Sequence, residues 1–271
     1  MFNVLKANGL LEPFSEKKVE HSLMASGIEK KIRKNIIQEL KAYLYEGIST
    51  KEIYKIVAYL LDKKQPYLSS RYNLKQGIMA LGPSGYPFEK FFARILNTHG
   101  FKTKVSAYVE GKCISHEIDV LAEKENKLFA IEAKFHNKQG IKTDIKTALY
   151  VYARFLDIKS TNSNIDQMWL VTNTKLTSRA INYCNCVGVK AIGWNYQKEW
   201  SLQFLVEKSG LYPITCLSSL SRREKETLLS KGLVSCRDIL DFTALDTLMP
   251  KNKINQLKEE VKTILDNNKK L

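Results

Sequence analysis

Three residues on two short extended segments have the types and spacing that phosphodiester hydrolysis requires. In Ser115-His116-Glu117-Ile118-Asp119-Val120-Leu121, strand alternation groups Asp119 with Glu117 and Leu121 and sends Ile118 and Val120 to the other face. In Phe129-Ala130-Ile131-Glu132-Ala133-Lys134-Phe135, the same alternation groups Glu132 with Lys134, opposite Ile131, Ala133 and Phe135. Twelve residues lie between Asp119 and Glu132, and a hairpin through Lys124-Glu125-Asn126-Lys127 would set the two carboxylates side by side. Crowded carboxylates repel, and burial raises their pKa unless a cation lies between them. Mg²⁺ suits that place, because it takes hard oxygen ligands and keeps several waters. It makes bound water more acidic and offsets the charge that builds on the phosphorane. A lysine beside it orients or helps deprotonate the attacking water and stabilises developing negative charge. Glu-x-Lys on an edge strand is also a common solvated ion pair. The preceding Asp and the strand context favour the catalytic alternative.

The surrounding pattern supplies the elements that must hold these residues. Phe88, Phe91, Phe92, Ile95 and Leu96 recur at helical spacing, and Gly100 ends that helix. Strands are expected at Phe101–Val109, Ser115–Ala122 and Leu128–Phe135, then a helix from near Lys142 to Asp157. A strand over Gln167–Thr172, a helix over about Thr177–Cys186 and a strand over Val189–Trp194 complete the order α-β-β-β-α-β-α-β. That order implies a mixed sheet flanked by helices. Gly82-Pro83-Ser84-Gly85-Tyr86-Pro87 cannot sit inside a helix and marks a domain boundary.

Before that boundary, Asn8-Gly9 between Val4, Lys6 and Leu11 predicts a small β-hairpin. Ser15 is the expected N-cap of a helix ending near Gly27, and a second helix is expected over 29–45. Ser49-Thr50-Lys51-Glu52 reads as a capped start for a third, and a fourth is expected over Leu68–Leu81. From Gly210 onward, leucines spaced as in a small helical bundle surround a tight turn at Lys231-Gly232-Leu233, and Lys251–Leu271 is expected as a charged helix. The fold class is thus α+β/α/β, with expected segments at 1–82, 85–205 and 210–271.

Lys and Arg number 43 against 28 Asp and Glu, a formal charge of +15. Such a balance favours a polyanionic partner, because each neutralised phosphate releases counterions. No stretch of about 20 apolar residues could span a bilayer, and the N-terminus lacks a signal-peptide core. The expectation is a soluble cytoplasmic protein with no membrane partner. Five dispersed cysteines, Cys113, Cys184, Cys186, Cys216 and Cys236, argue against a disulfide framework and read as buried free thiols.

Asp119 followed by Glu132-Ala133-Lys134 resembles the PD-(D/E)xK nuclease superfamily. Gly85-Tyr86-Pro87-Phe88-Glu89 resembles the helix opening of its Mrr-like restriction endonuclease branch. The resemblance spans about 85–195. It implies a restriction-endonuclease-like domain with Glu89, Asp119, Glu132 and the Ala133 carbonyl around Mg²⁺ or Mn²⁺, and Lys134 as catalytic lysine. Ile118 stands where a proline gives the motif its name, a position that is often apolar in the superfamily. His136 and Gln139 follow the lysine as weaker candidates for DNA contact, and His116 and His136 are otherwise expected as surface or structural residues.

Val4-Leu5-Lys6-Ala7-Asn8-Gly9-Leu10-Leu11-Glu12-Pro13-Phe14-Ser15-Glu16-Lys17-Lys18 resembles the ATP-cone, a regulatory nucleotide-binding module. The likeness continues at Gly47–Tyr54 and at Tyr67–Tyr72. It implies ATP or dATP contacts at Lys6, Glu12, Ser15, Lys18 and Thr50, with Tyr54 near base or ribose, while Ala7 departs from the basic residue usual there. No G-x-x-x-x-G-K-[ST] occurs, so a bound nucleotide would be a signal rather than a fuel. The alternative is a degenerate cone kept for docking. Ser221–Asp241 resembles helix-hairpin-helix units that grip DNA through a glycine turn, against the alternative of a leucine-rich cap.

Together these features predict a metal-dependent DNA endonuclease, of a restriction or defence kind, regulated by nucleotide and acting as a homo-oligomer. The alternatives are a nucleotide-responsive DNA-binding regulator with an inactive nuclease fold, and a structure-specific repair nuclease or resolvase.

Overall fold

A computed structural model describes residues 2–6, 8–138, 140–161 and 164–268. Ala7 and Gln139 therefore lie outside the described residues, as do the expectations placed on them. The protein is a mixed α/β fold with two compact units: Met1–Leu74 with Cys216–Ser219 and Met249–Leu271, and Lys75–Thr215 with Leu220–Leu248. The C-terminal stretch expected as one helical region thus contributes to both units. No described helix is long and apolar enough to cross a membrane.

In the first unit, β1 (Asn3–Leu5) and β2 (Leu11–Pro13) form the expected antiparallel hairpin, with Gly9 at φ 82° in its turn. Helices α1 (Glu16–Ala25) and α2 (Lys30–Leu40) follow. The second helix stops short of 45. A 3-10 turn at Lys41–Tyr43 feeds the chain into β3 (Ile48–Ser49), which pairs parallel to β1 through Val4↔Ile48 and Leu5↔Ser49. This strand was not expected, because two residues carry no periodic signal. Helices α3 (Thr50–Lys64) and α4 (Pro66–Met79) complete the N-terminal part. The fourth helix starts two residues early because Pro66 is tolerated in a first turn. Leu23, Ile36, Leu40, Ile48, Val57 and Leu61 are fully buried in this unit.

The start of α3 is the reciprocal cap that Ser49 and Glu52 predict. Ser49 Oγ accepts from the Glu52 N–H at 3.1 Å, and Glu52 Oε2 accepts from the Ser49 N–H at 3.0 Å. Ser49→Ala is expected to cost about 1 kcal/mol, read as a lowered urea midpoint with an unchanged slope.

In the second unit, α5 (Tyr86–Thr98) leads into a five-stranded sheet. Strands β4 (Lys102–Glu110), β5 (Ser115–Lys124) and β6 (Lys127–Lys134) form an antiparallel meander. The chain then passes through β7 (Lys142–Thr143) and α6 (Ile145–Lys159) to β8 (Ile165–Thr172), which is parallel to β6. Next come β9 (Lys175–Leu176), α7 (Ser178–Val187), and β10 (Lys190–Ile192), which is parallel to β8. The sheet order is β10-β8-β6-β5-β4, the mixed sheet expected from the element order. Helix α6 begins later than the periodicity suggests. Lys142 and Thr143 instead pair with β9, and Asp144 caps the helix by accepting from the N–H groups of Lys146 and Thr147.

Glu125 and Asn126 both have positive φ, 53° and 59°, between the paired Lys124↔Lys127. This is the tight turn whose twist suits a two-residue hairpin, and it fixes the β5–β6 register. Burial alternates along β5 as expected: His116, Ile118, Val120 and Ala122 are buried, while Glu117, Asp119 and Leu121 are not. Ala148, Val151 and Ile158 of α6 share one buried cluster with Ala130, Met168 and Leu170 of the sheet. Helices α8 (Leu202–Ser209), α9 (Arg222–Ser230) and α10 (Cys236–Asp241) complete the unit.

Candidate active site

Helix α5 is docked by Phe88, Phe91, Phe92, Ile95 and Leu96, all fully buried, with Pro87 in its first turn. That packing fixes Glu89 near the helix start. The Phe88 ring lies 5.7 Å from the Phe135 ring, so the start of α5 is held beside the end of β6, directly after Lys134. Gly85 has no side chain where one would meet Glu89: a Cβ there would lie 3.1 Å from Glu89 Oε1.

The paired register of β5 and β6 runs from Lys124↔Lys127 to Val120↔Ile131 and carries on toward Asp119 opposite Glu132. Beyond the last pair, Asp119 Oδ2 accepts from the Ala133 N–H at 2.7 Å. Ala133 thus serves the site through its N–H, which holds Asp119 in place.

Burial and neighbouring carboxylates raise two of these carboxyls. Burial first, then the charge of Asp119, with Glu117 and Glu132 behind it, pushes the Glu89 carboxyl up to about 7. Burial and then Glu132 push Asp119 up to about 6, against the opposing pulls of the Ala133 N–H and Arg154. The expected set of Glu89, Asp119 and Glu132 is thus brought into electrostatic contact, and Glu117 joins it. Lys134 is exposed on the strand end, and its charge reaches His136.

The cation that meets the carboxylates directly is Arg154, from α6. Its guanidinium pairs with Glu132 Oε2 and donates to the Glu117 backbone carbonyl. Arg154 is 8% exposed, and its Nε is buried without a partner. Three residues further along α6, Asp157 accepts from the Cys113 N–H at 2.9 Å and pairs with His116 at 2.8 Å, clipping the β4–β5 turn to the helix. The His116 hydrogen bond leads in holding Asp157 down at about 2. Arg154 was missed at the sequence level, although a signal existed. It falls on the buried stripe of α6 with Ala148, Val151 and Ile158, where a charge requires a partner.

Two carboxyls held up by burial and by neighbouring carboxylates, Glu89 and Asp119, with Glu132 met by one guanidinium, offer the hard oxygen donors that suit a divalent cation. Among the described residues, no three His, Cys, Asp or Glu side chains are gathered into a closed metal-holding group as the side chains stand. Glu132 is turned onto Arg154 instead.

His136 is committed to the structure. Its N–H donates to Asn173 Oδ1 at 2.9 Å, its carbonyl accepts from Asn173 Nδ2 at 2.8 Å, and its ring Nε2 lies 3.1 Å from Thr143 Oγ1. Burial, then the charge of Lys134, lowers its pKa. Of the cysteines, Cys184, Cys216 and Cys236 are buried as expected, but Cys113 and Cys186 are exposed because they fall on a turn and an outward helix position.

In the N-terminal unit, Glu12 lies 2.8 Å from Lys18 Nζ and 3.6 Å from Lys6 Nζ, and the Lys18 contact leads in lowering its pKa. Lys6 and Thr50 each follow the paired Leu5↔Ser49, so they leave the small sheet at the same end of two paired strands. Ser15 takes the N-cap position of α1 but caps with its carbonyl, which accepts from Lys18 N–H, rather than with its hydroxyl. Tyr54 is turned inward. Its hydroxyl donates to Asn73 Oδ1 at 2.7 Å, and its ring stacks on Tyr72 at 4.7 Å. Its expected base or ribose contact is therefore not offered by the hydroxyl, which the core has taken.

The C-terminal turn behaves likewise. Gly232 adopts φ 79° as expected, but the amides that would face a phosphate are used internally. Gly232 and Leu233 N–H donate to Leu229 and Leu228 carbonyls, and Val234 and Ser235 N–H donate to Asp238 Oδ2. Asp238, 6% exposed, also pairs with Arg94 of α5. Asp238→Ala is expected to destabilise the second unit by about 3 kcal/mol, because it strips several donors of one buried acceptor. Thermal denaturation measures it.

The fold and this cluster define a mixed α/β protein with an acidic centre on its principal sheet. A sequence-family profile described as "AF1548-like, C-terminal" matches residues 212–265. An uncharacterized protein of Archaeoglobus fulgidus is 43% identical over 148 residues, covering 55% of this chain and 83% of that protein. A solved structure titled as the crystal structure of protein of unknown function AF1548 is 36% identical with a TM-score of 0.53, covering 69% of this chain and 97% of that one. The chain belongs to the AF1548-like family.

Proposed function

We propose that the protein is a Mg²⁺- or Mn²⁺-dependent DNA endonuclease whose centre is Glu89, Asp119, Glu132 and Lys134. The observation that supports it most is the raising of Glu89 and Asp119 by burial and by neighbouring carboxylates, Glu132 among them, beside the end of β6 that carries Lys134. A bound divalent metal supplies a more acidic water and charge neutralisation at the phosphoryl group. Glu89, Asp119 and Glu132 would hold it. Lys134, exposed at the strand end, meets the phosphate and steadies the attacking water. The Ala133 N–H keeps Asp119 aimed. The net charge of +15 favours the DNA polyanion.

The N-terminal unit is read as an ATP-cone that binds ATP or dATP through Lys6, Glu12, Ser15, Lys18 and Thr50. Nucleotide binding there sets the oligomeric state or the access of DNA to the centre. Glu12, already bridged by two lysines, supports a site in which those lysines exchange a carboxylate for phosphate. The capture of Glu132 by Arg154 favours a second reading, a nucleotide-responsive DNA-binding protein whose nuclease centre is inactive. Plasmid cleavage in Mg²⁺, with and without ATP or dATP, separates the two. Strand breaks made by the wild type and lost in Glu132→Ala support the first. DNA binding that responds to nucleotide without breaks supports the second.

A further inference from the structure

We infer that Arg154 is a built-in competitor of the metal: its guanidinium occupies Glu132 until a divalent cation displaces it. This inference rests on the nuclease reading above and deepens it with a mode of control at the same site.

Three observations carry it. Arg154 is a charged side chain on the buried stripe of α6, where an aliphatic residue would extend the packing of Ala148, Val151 and Ile158. A buried guanidinium is retained at a cost in desolvation, so its presence asks for a role. Its two terminal nitrogens are aimed at the acidic centre, one at Glu132 Oε2 and one at the Glu117 carbonyl, while Nε is buried without a partner. The fork is therefore only partly satisfied, which leaves room for a different arrangement. Finally, Glu132, one of the carboxylates that would hold the cation, faces Arg154. Glu132 has one carboxylate to give, and the guanidinium and the cation both need it.

Arg154 also lies over the Tyr150 ring, 5.3 Å from its centroid, and Tyr150 is 58% exposed. A guanidinium released from Glu132 thus has an aromatic face beside it that leads to the surface. It need not remain stranded in the core when the metal takes its place.

The test is Mn²⁺ binding to the whole 271-residue chain, followed by calorimetry and by the loss of the free-ion EPR signal. Arg154→Met keeps an unbranched side chain that can pack along the apolar stripe of α6 and removes the charge. It is expected to bind Mn²⁺ about tenfold more tightly than the wild type, or about 1.4 kcal/mol. Arg154→Lys keeps a point charge without the fork and is expected to fall between them, which preserves the test if the methionine variant does not fold. Equal or weaker Mn²⁺ binding by a folded Arg154 variant, while the wild type binds, overturns this inference and leaves the nuclease reading standing. Absence of Mn²⁺ binding by wild type and variants alike overturns both.

Discussion

Glu132→Gln is expected to abolish metal-dependent DNA cleavage, slowing it by at least about a thousandfold, with the fold intact. The exchange keeps the shape of the side chain and an oxygen that Arg154 can still meet. What it removes is the negative charge, the property a hard cation requires. Glu132→Ala is a less clean variant. It strands a guanidinium that is 8% exposed and would destabilise the second unit by about 3 kcal/mol on that account alone. Lys134→Ala should separate chemistry from stability further. Lys134 is exposed, so its loss costs little stability, while cleavage is expected to fall by about a hundredfold or more. Single-turnover cleavage of a labelled duplex, with circular dichroism on the same samples, reads both effects. Cleavage by Glu132→Gln at the wild-type rate would remove Glu132 from the chemistry.

The second large effect is on pH. Glu89 is raised from 4.5 to about 7 and Asp119 from 3.8 to about 6. For an acid raised on folding, the folded chain binds more protons than the unfolded one between the two values, so stability falls as pH rises through that window. The metal-free protein is therefore expected to be more stable at about pH 5 than at about pH 8, by about 2 kcal/mol once the half-exposed Glu89 is discounted for solvent screening. Asp157 has the opposite sign, being held at about 2, but its contribution is lost only below the ordinary carboxyl value of 3.8 and lies outside this window. Metal binding runs the other way, because the cation needs the deprotonated carboxylates. Mg²⁺ is expected to raise the urea midpoint at about pH 8 and to do little at about pH 5. Glu89→Gln should flatten the metal-free pH dependence. A midpoint that rises with pH across the window in the metal-free protein would contradict the assignment of Glu89 and Asp119 as carboxyls raised by burial and neighbouring charge.

Much of the second unit was legible in the sequence, and the reasons are specific. The β5–β6 hairpin follows from alternation on both sides of Lys124–Lys127, and a turn of two residues leaves one register open. With the register set, Asp119 and Glu132 had to approach. Helix α5 was legible because five large apolar residues repeat at helical spacing after Pro87. By contrast, β3 and β7 have two residues each and are made by pairing partners distant in sequence. The inward turn of Tyr54 depends on Asn73 and Tyr72, supplied by another helix. The spending of the Val234 and Ser235 amides depends on Asp238, which composition around a glycine turn does not reveal. Arg154 lies between these cases. Its place on an apolar stripe was readable, but its partners were set by tertiary contact with β5 and β6.

The most direct test of the nuclease centre is to incubate supercoiled plasmid with the wild type and with Asp119→Asn, each in Mg²⁺ and in EDTA. The expected result is nicked and linear DNA from the wild type in Mg²⁺ alone. Intact plasmid from a folded wild type in Mg²⁺ and Mn²⁺ at neutral and alkaline pH, or equal breakage by Asp119→Asn, would contradict it.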